Sequence, residues 1–187
     1  MFRGGSKAGN RVAVPHSASL VSMQRTRQFT ICAWLKPDSL PEKYPVVICK
    51  GGNVRPSAFG GFECLLSSTG DDGVSLISGS CGIHTRGAKG RWLTRNLQQW
   101  LHLAIVVNAP QRLVKFYVNG ERAGDETDFG QDWRSANFAL LAKLFIGGPD
   151  PAANQDRAWF DGLIDEVRIY SRALSEAEIR RLPGFKN

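Results

Sequence analysis

The densest set of ionisable groups in this chain lies between Gly124 and Trp133, where Asp125, Glu126, Asp128 and Asp132 crowd together. Clustered carboxyl groups support two kinds of chemistry. A pair held about 5–5.5 Å apart cleaves glycosidic bonds with retention, one acid as nucleophile and the other as acid/base. An oxygen cage instead holds calcium, but this segment lacks the EF-hand order of ligands and its turn glycine. Gly124 and Gly130 punctuate the segment, which reads as a solvated loop. Asp165 is the better metal candidate, because a carboxylate at a bulge near a sheet edge can ligate a hard cation with backbone carbonyls completing the shell. The competing reading has Asp165 and Glu166 binding backbone amides or Arg168.

Aromatic residues offer the other material for a site. Sugar rings stack on flat indoles and phenols while neighbouring polar groups bond their hydroxyls. Trp92 and Trp133 lie in polar stretches and are the leading ligand candidates, with Tyr44 behind them. Trp159 opens a strand, and both a core and a binding reading stand for it. His16 and His84 read as turn and loop residues, with no Gly-x-Ser-x-Gly elbow or Cys–His motif beside them.

The net charge of +7 is unevenly spread: residues 1–95 carry 13 Lys/Arg against 5 Asp/Glu, and residues 96–187 carry 11 against 12. A basic first half favours anionic or sulfated glycans if charge contributes. The densest basic piece, Arg86-Gly-Ala-Lys89-Gly-Arg91-Trp92, has neither helical nor RNA-motif spacing, so nucleic acid is excluded as a partner. No apolar run approaches the ~18 residues that a membrane span needs. Met1-Phe-Arg-Gly-Gly-Ser-Lys7 lacks the apolar core of a secretion signal. Cys32, Cys49, Cys64 and Cys81 include no close pair, which argues against zinc and for buried thiols. A single cross-strand disulfide, with Cys49–Cys64 as one pairing, is the alternative in an oxidising compartment.

The elements that must carry these residues are short strands separated by turn chemistry. Phe29–Leu35, Val46–Lys50, Gly61–Ser67, Val74–Ser78, Trp100–Asn108 and Leu113–Val118 each show strand character. Asn119-Gly120 demands positive φ at both positions of a type I′ hairpin. In Trp159-Phe-Asp-Gly-Leu-Ile-Asp-Glu-Val-Arg-Ile-Tyr170 the alternation of Phe160, Gly162 and Ile164 breaks at Asp165-Glu166 and resumes at Val167, as at a bulge. One short helix follows, with Ser175 and Glu178 forming a capping box, Leu174 stapled onto Ile179, and Pro183-Gly184 as the stop. Together these predict an all-β sandwich of two sheets, in one domain over residues 1–187.

Several motifs now occur in order: Phe29-Thr-Ile-Cys-Ala-Trp-Leu-Lys-Pro37, Ile48-Cys-Lys-Gly51, Trp100-Leu-His-Leu-Ala104, Phe116-Tyr-Val-Asn-Gly-Glu121, Leu144-Phe-Ile-Gly147 and Phe160 to Ser175. The set resembles the laminin-G-like domains of the concanavalin A-like lectin/glucanase superfamily. The resemblance implies a jelly-roll sandwich of two antiparallel, curved sheets with a short C-terminal helix. It also implies a non-catalytic module that binds glycans or proteins, excised from a larger extracellular or periplasmic protein. Within the resemblance Trp34 and Trp100 are core residues, and His102 is structural and hydrogen-bonded inside the sandwich. Asp165 matches the aspartate that often holds a structural calcium between first and last strands, although Phe2-Arg-Gly4 replaces the family's usual Phe-Asp-Gly. Glu126-x-Asp128-x-x-Gln131 nearly reproduces the Glu-x-Asp-x-x-Glu signature of the related retaining glucanases. Gln131 cannot donate or accept the required proton, and the signature needs a strand where this segment reads as loop, so no catalytic residue is assigned.

Overall fold

The computed structural model describes residues 2–4, 10–39, 44–51, 61–67, 73–78, 83–87, 95–123, 127–128, 142–151, 157–182 and 184. Alternation decides the strands and their faces. In β3 (Gln28–Pro37) the side chains of Phe29, Ile31, Ala33 and Leu35 enter the main core, while Cys32 and Trp34 face the other way. The same rule sends Leu101, Leu103, Ile105 and Val107 of β8 (Leu101–Asn108) inward. The first sheet runs in the order β1 (Phe2–Gly4), β14 (Gly162–Tyr170), β3, β8, β9 (Leu113–Val118), β10 (Glu121–Arg122). A short β11 (Thr127–Asp128) also pairs with β9.

The second sheet runs β2 (Val12–Val14), β12 (Leu144–Ile146), β4 (Tyr44–Lys50), β5 (Phe62–Ser67), β6 (Gly73–Ser78), β7 (Ile83–Gly87). Pairing is antiparallel throughout, except that β13 (Arg157–Trp159) lies parallel to β4. The sheets stack through one apolar cluster, in which Phe29 of the first lies against Phe62 of the second, with ring centroids 5.3 Å apart. Each such side chain withdrawn from water contributes roughly 1.5–3 kcal/mol. The architecture is the expected all-β jelly-roll sandwich.

Local signals hold where geometry is local. Asn119 and Gly120 take φ of 53° and 83° in the β9–β10 hairpin. Register shifts between Asp165 and Arg168, with Glu166 at φ 48° forming the bulge. The closing helix α2 (Glu176–Arg181) carries both halves of the Ser175–Glu178 capping box. It covers the outer face of the first sheet, where Leu174 and Ile179 pack with Cys32, Ala104, Val106 and Tyr117. None of the helices in the described residues is long and apolar enough to cross a membrane.

Three expectations need correction. A second helix, α1 (Ala18–Thr26), precedes β3 and buries Met23 completely. Its local code is weak: Ser17 makes no side-chain cap to the backbone, and only Leu20 and Met23 reach the core. Ile83–Gly87 is a strand, so His84 and Arg86 belong to the second sheet rather than to a loop. Thr127–Asp128 is likewise paired, so part of the acidic segment is strand; Asp125, Glu126, Gln131 and Asp132 lie outside the described residues.

Cys32, Cys49 and Cys64 are buried free thiols, and Cys81 lies outside the described residues. Cys64 lies in the main core beside Ile48, whereas Cys49 packs on the outer face with Val46, Leu65 and Phe145. Neighbouring strands thus present the two sulfurs to opposite faces, and no Cys49–Cys64 bridge forms. Burial pushes Cys32 up to about 11 and Cys49 to about 12, and raises Cys64 as well. In a Cys81→Ser protein, these three thiols should react with a disulfide reagent at pH 8 at least ~100-fold more slowly than in urea. Comparable rates in the two states would refute the burial.

Candidate functional site

The outer face of the second sheet gathers aromatic rings and guanidinium groups from four separate segments. Along β4 the register shift between Val46 and Ile48 lets Tyr44, Val46 and Cys49 share this face while Val47 and Ile48 turn inward. In β5 plain alternation sends Glu63 and Leu65 outward, between the inward Phe62, Cys64 and Leu66. β12 contributes Phe145, and β13 brings Arg157 beside Tyr44 and Trp159 beside Val46. Arg11, just before β2, completes the set.

The geometry is specific. The Arg11 guanidinium lies 4.9 Å from the Phe145 ring centroid and 5.2 Å from that of Trp159, and Nη1 donates to the Pro149 carbonyl at 3.1 Å. A cation held between two rings in this way fixes both. The indole rests on bare backbone: a Cβ at Gly148 would come within 2.3 Å of Trp159 Cε3. Arg157 Nε and Nη2 both donate to Glu63 Oε2, at 2.9 and 2.8 Å, and Glu63 Oε1 is buried without a hydrogen-bond partner. Tyr44 is 36% exposed and Trp159 half-buried. Two residues of strand separate their positions, roughly 7 Å along the sheet. Flat apolar rings beside oriented donors make a platform for a polar ligand with an apolar face.

Of the predicted ligand residues, Tyr44 belongs to this platform, and Trp92 and Trp133 lie outside the described residues. Trp159, read both ways from sequence, is a platform residue. Arg11, Glu63, Phe145 and Arg157 were not singled out. Only the alternation of β5, which aims Glu63 outward, carried any local signal for them.

A second polar group occupies the outer face of the first sheet, where Asp165, Trp34 and His102 stand in register across β14, β3 and β8. Asp165 Oδ1 accepts the Glu166 N–H at 2.9 Å, and Glu166 Oε2 pairs with Arg168 Nη2 at 2.9 Å. No group of three or more His, Cys, Asp or Glu is placed to hold a metal ion among the described residues. At this bulge one carboxylate thus accepts from an amide and its neighbour pairs with a guanidinium.

His102 is 3% exposed and sets its ring edge-on to Trp34 at 5.4 Å. Its backbone hydrogen-bonds across the hairpin: its N–H donates to Asn119 Oδ1, and its carbonyl accepts the Asn119 N–H, both at 2.8 Å. Nδ1 is buried without a hydrogen-bond partner. Burial, reinforced by Arg168, pushes the imidazole down to about 4. The unfolded chain binds this proton near 6.5 and the native protein does not until about 4. Stability should therefore fall as pH drops through that window, by about 1.4 kcal/mol per unit and ~3 kcal/mol in all. Urea midpoints compared with a His102→Phe protein isolate the effect; equal pH slopes would refute it.

No curated protein matches the sequence. A candidate carbohydrate-binding protein from Bacteroides ovatus is similar in structure, with a TM-score of 0.67 and 19% identity over 96% of this chain. This chain spans 46% of that protein's length. Domain 4 of an extracellular arabinanase from Geobacillus stearothermophilus, solved with arabinotriose, matches with a TM-score of 0.60 and 24% identity. That match covers 96% of this chain and 85% of the other. A Trypanosoma rangeli sialidase matches at 0.57 and 17% identity, covering 83% of this chain and 22% of its own. At these identities the likeness is one of fold, and the fold serves binding proteins and glycoside hydrolases alike. A family model, Laminin_G_3, matches residues 5–180, and on that match the chain belongs to the concanavalin A-like lectin/glucanase superfamily.

Proposed function

We propose that this chain is a non-catalytic carbohydrate-binding module, appended to a larger extracellular or periplasmic protein. The observation that carries the reading is Trp159, half-buried on the Gly148 backbone and braced by Arg11, with the exposed Tyr44 nearby. Such rings offer the flat apolar surface that a pyranose or furanose face covers, and the surrounding donors suit hydroxyl or anionic groups. The similar arabinanase domain was solved with arabinotriose, which supports the ligand class.

The non-catalytic reading draws support from how four glutamates among the described residues are used. Glu63 serves Arg157, Glu166 serves Arg168, Glu176 serves Arg180, and Glu178 serves Arg172 and Ser175. Each is engaged by a cation rather than poised for proton transfer. The rival reading is a protein-adhesion module without sugar binding, which needs no compact polar–aromatic cluster. The platform weighs against it.

An array of neutral and anionic glycans, arabinotriose among them, tests the proposal. At least one class should bind, and Trp159→Ala should weaken it at least ~30-fold, the loss expected of a central aromatic anchor. Gly148→Ala, which lifts the ring without removing it, should also weaken binding. Weak salt dependence would assign the affinity to ring stacking, and steep dependence to charge. A silent array, or unchanged binding by Trp159→Ala, would overturn the proposal.

A further inference from the structure

On the opposite side of the sandwich, beside α2, a cavity of about 300 Å³ opens on the outer face of the first sheet. It lies at the small end of ligand sites, which run from about 300 to 1,000 Å³. Its floor is apolar, with Val106 from β8 and Leu174 before α2. One bank carries Asn108, Gln111 and Lys115; Glu176 and Glu178 form the other.

The two banks constrain the ligand. Asn108 Oδ1 accepts the Gln111 N–H at 3.3 Å, and Asn108 Nδ2 donates to Gln111 Oε1 at 2.8 Å, so the two side chains are set in one arrangement. That pairing uses one of the four amide hydrogens and leaves the others as donors. The opposite carboxylates already face Arg180 and Arg172, which neutralise their charge; Glu178 is filled by hydrogen bonds from Arg172 and Ser175, so the acceptor capacity on this bank is that of Glu176. A cation would compete with two arginines, and an anion drawn to Lys115 would face carboxylate lone pairs across the cavity. A neutral ligand with an apolar face and hydroxyls that both donate and accept satisfies floor and banks together.

We infer that this cavity is a second sugar-binding site, sized for one or two neutral residues of an oligosaccharide. The module then holds two saccharide chains on opposite faces. The ligand class rests on the carbohydrate reading above, but the site shares no residue with the Trp159 platform.

The two sites report separately. Indole fluorescence follows the platform, and the side-chain amide resonances of Asn108 and Gln111 follow the cavity. With arabinotriose and the neutral array hits as probes, those amide resonances should shift in the Trp159→Ala protein. Calorimetry of the unaltered chain should give two sites per chain. Gln111→Ala, at an exposed position, should weaken the cavity site about tenfold, as loss of its hydrogen bonds predicts, and leave the fluorescence titration unchanged. Fluorescence binding with still amide resonances and one site per chain would overturn the inference and leave the platform standing. Silence at both reporters would remove both.

Discussion

Glu63→Ala should lower the unfolding free energy by about 3–5 kcal/mol, the range for leaving one partner of a buried ion pair alone. The Glu63 and Arg157 side chains are 3% and 9% exposed, and two guanidinium nitrogens converge on a single carboxylate oxygen. Without the carboxylate, a desolvated cation remains beneath the platform. The pair need not be a net source of stability, because both charges were taken from water to form it. Replacing both together, as Glu63→Leu with Arg157→Met, should therefore recover much of the loss. Urea denaturation of the two single variants and the double variant closes the cycle. A Glu63→Ala cost below ~1 kcal/mol would show that water reaches Arg157, contrary to its burial.

Gly61→Ala should cost more than ~4 kcal/mol or yield no folded protein, since total stability is only about 5–15 kcal/mol. Gly61 sits at φ 90°, and a Cβ there would fall 1.6 Å from the Lys50 carbonyl oxygen. The obstacle is backbone and cannot swing aside. Lys50 is itself immobilised: it is fully buried, pairs with Phe62 across the ladder, and donates Nζ to the Ala142 carbonyl at 3.1 Å. Gly184→Ala is the matched control, with nothing within 4 Å of its added methyl, and should change stability by less than ~0.5 kcal/mol. Equal thermal midpoints for the two variants would refute the argument.

What could be read from sequence follows the range of the forces involved. The hairpin at Asn119-Gly120, the bulge at Asp165-Glu166 and the capping box at Ser175 each depend on residues at most three positions apart. All three take the form their residues dictate. Helix α1 escaped because its stability comes from Met23 and Leu20 meeting a core assembled elsewhere. β7 and β11 escaped because glycines and charges around His84 and Asp128 resemble turns until a neighbouring strand supplies the ladder. The platform was the least legible feature. Arg11, Phe145 and Trp159 meet only through strand pairing, and Glu63 finds Arg157 across 94 positions of sequence. Tyr44 is a candidate in the sequence as an aromatic outside the Val46–Lys50 strand, and the structure sets it at the exposed start of β4.

The order of the strands carries a kinetic consequence. β14 is inserted between β1 and β3, and β12 between β2 and β4, so each sheet receives a middle member from late in the chain. The earliest strands cannot reach their ladder partners until Leu144–Ile146 and Gly162–Tyr170 have left the ribosome. Closing such long loops before any reward is collected makes assembly slow, on the order of milliseconds to seconds. During synthesis the unfinished edges of β3 and β4 stay open to other chains, the interval in which a holding chaperone has most to protect.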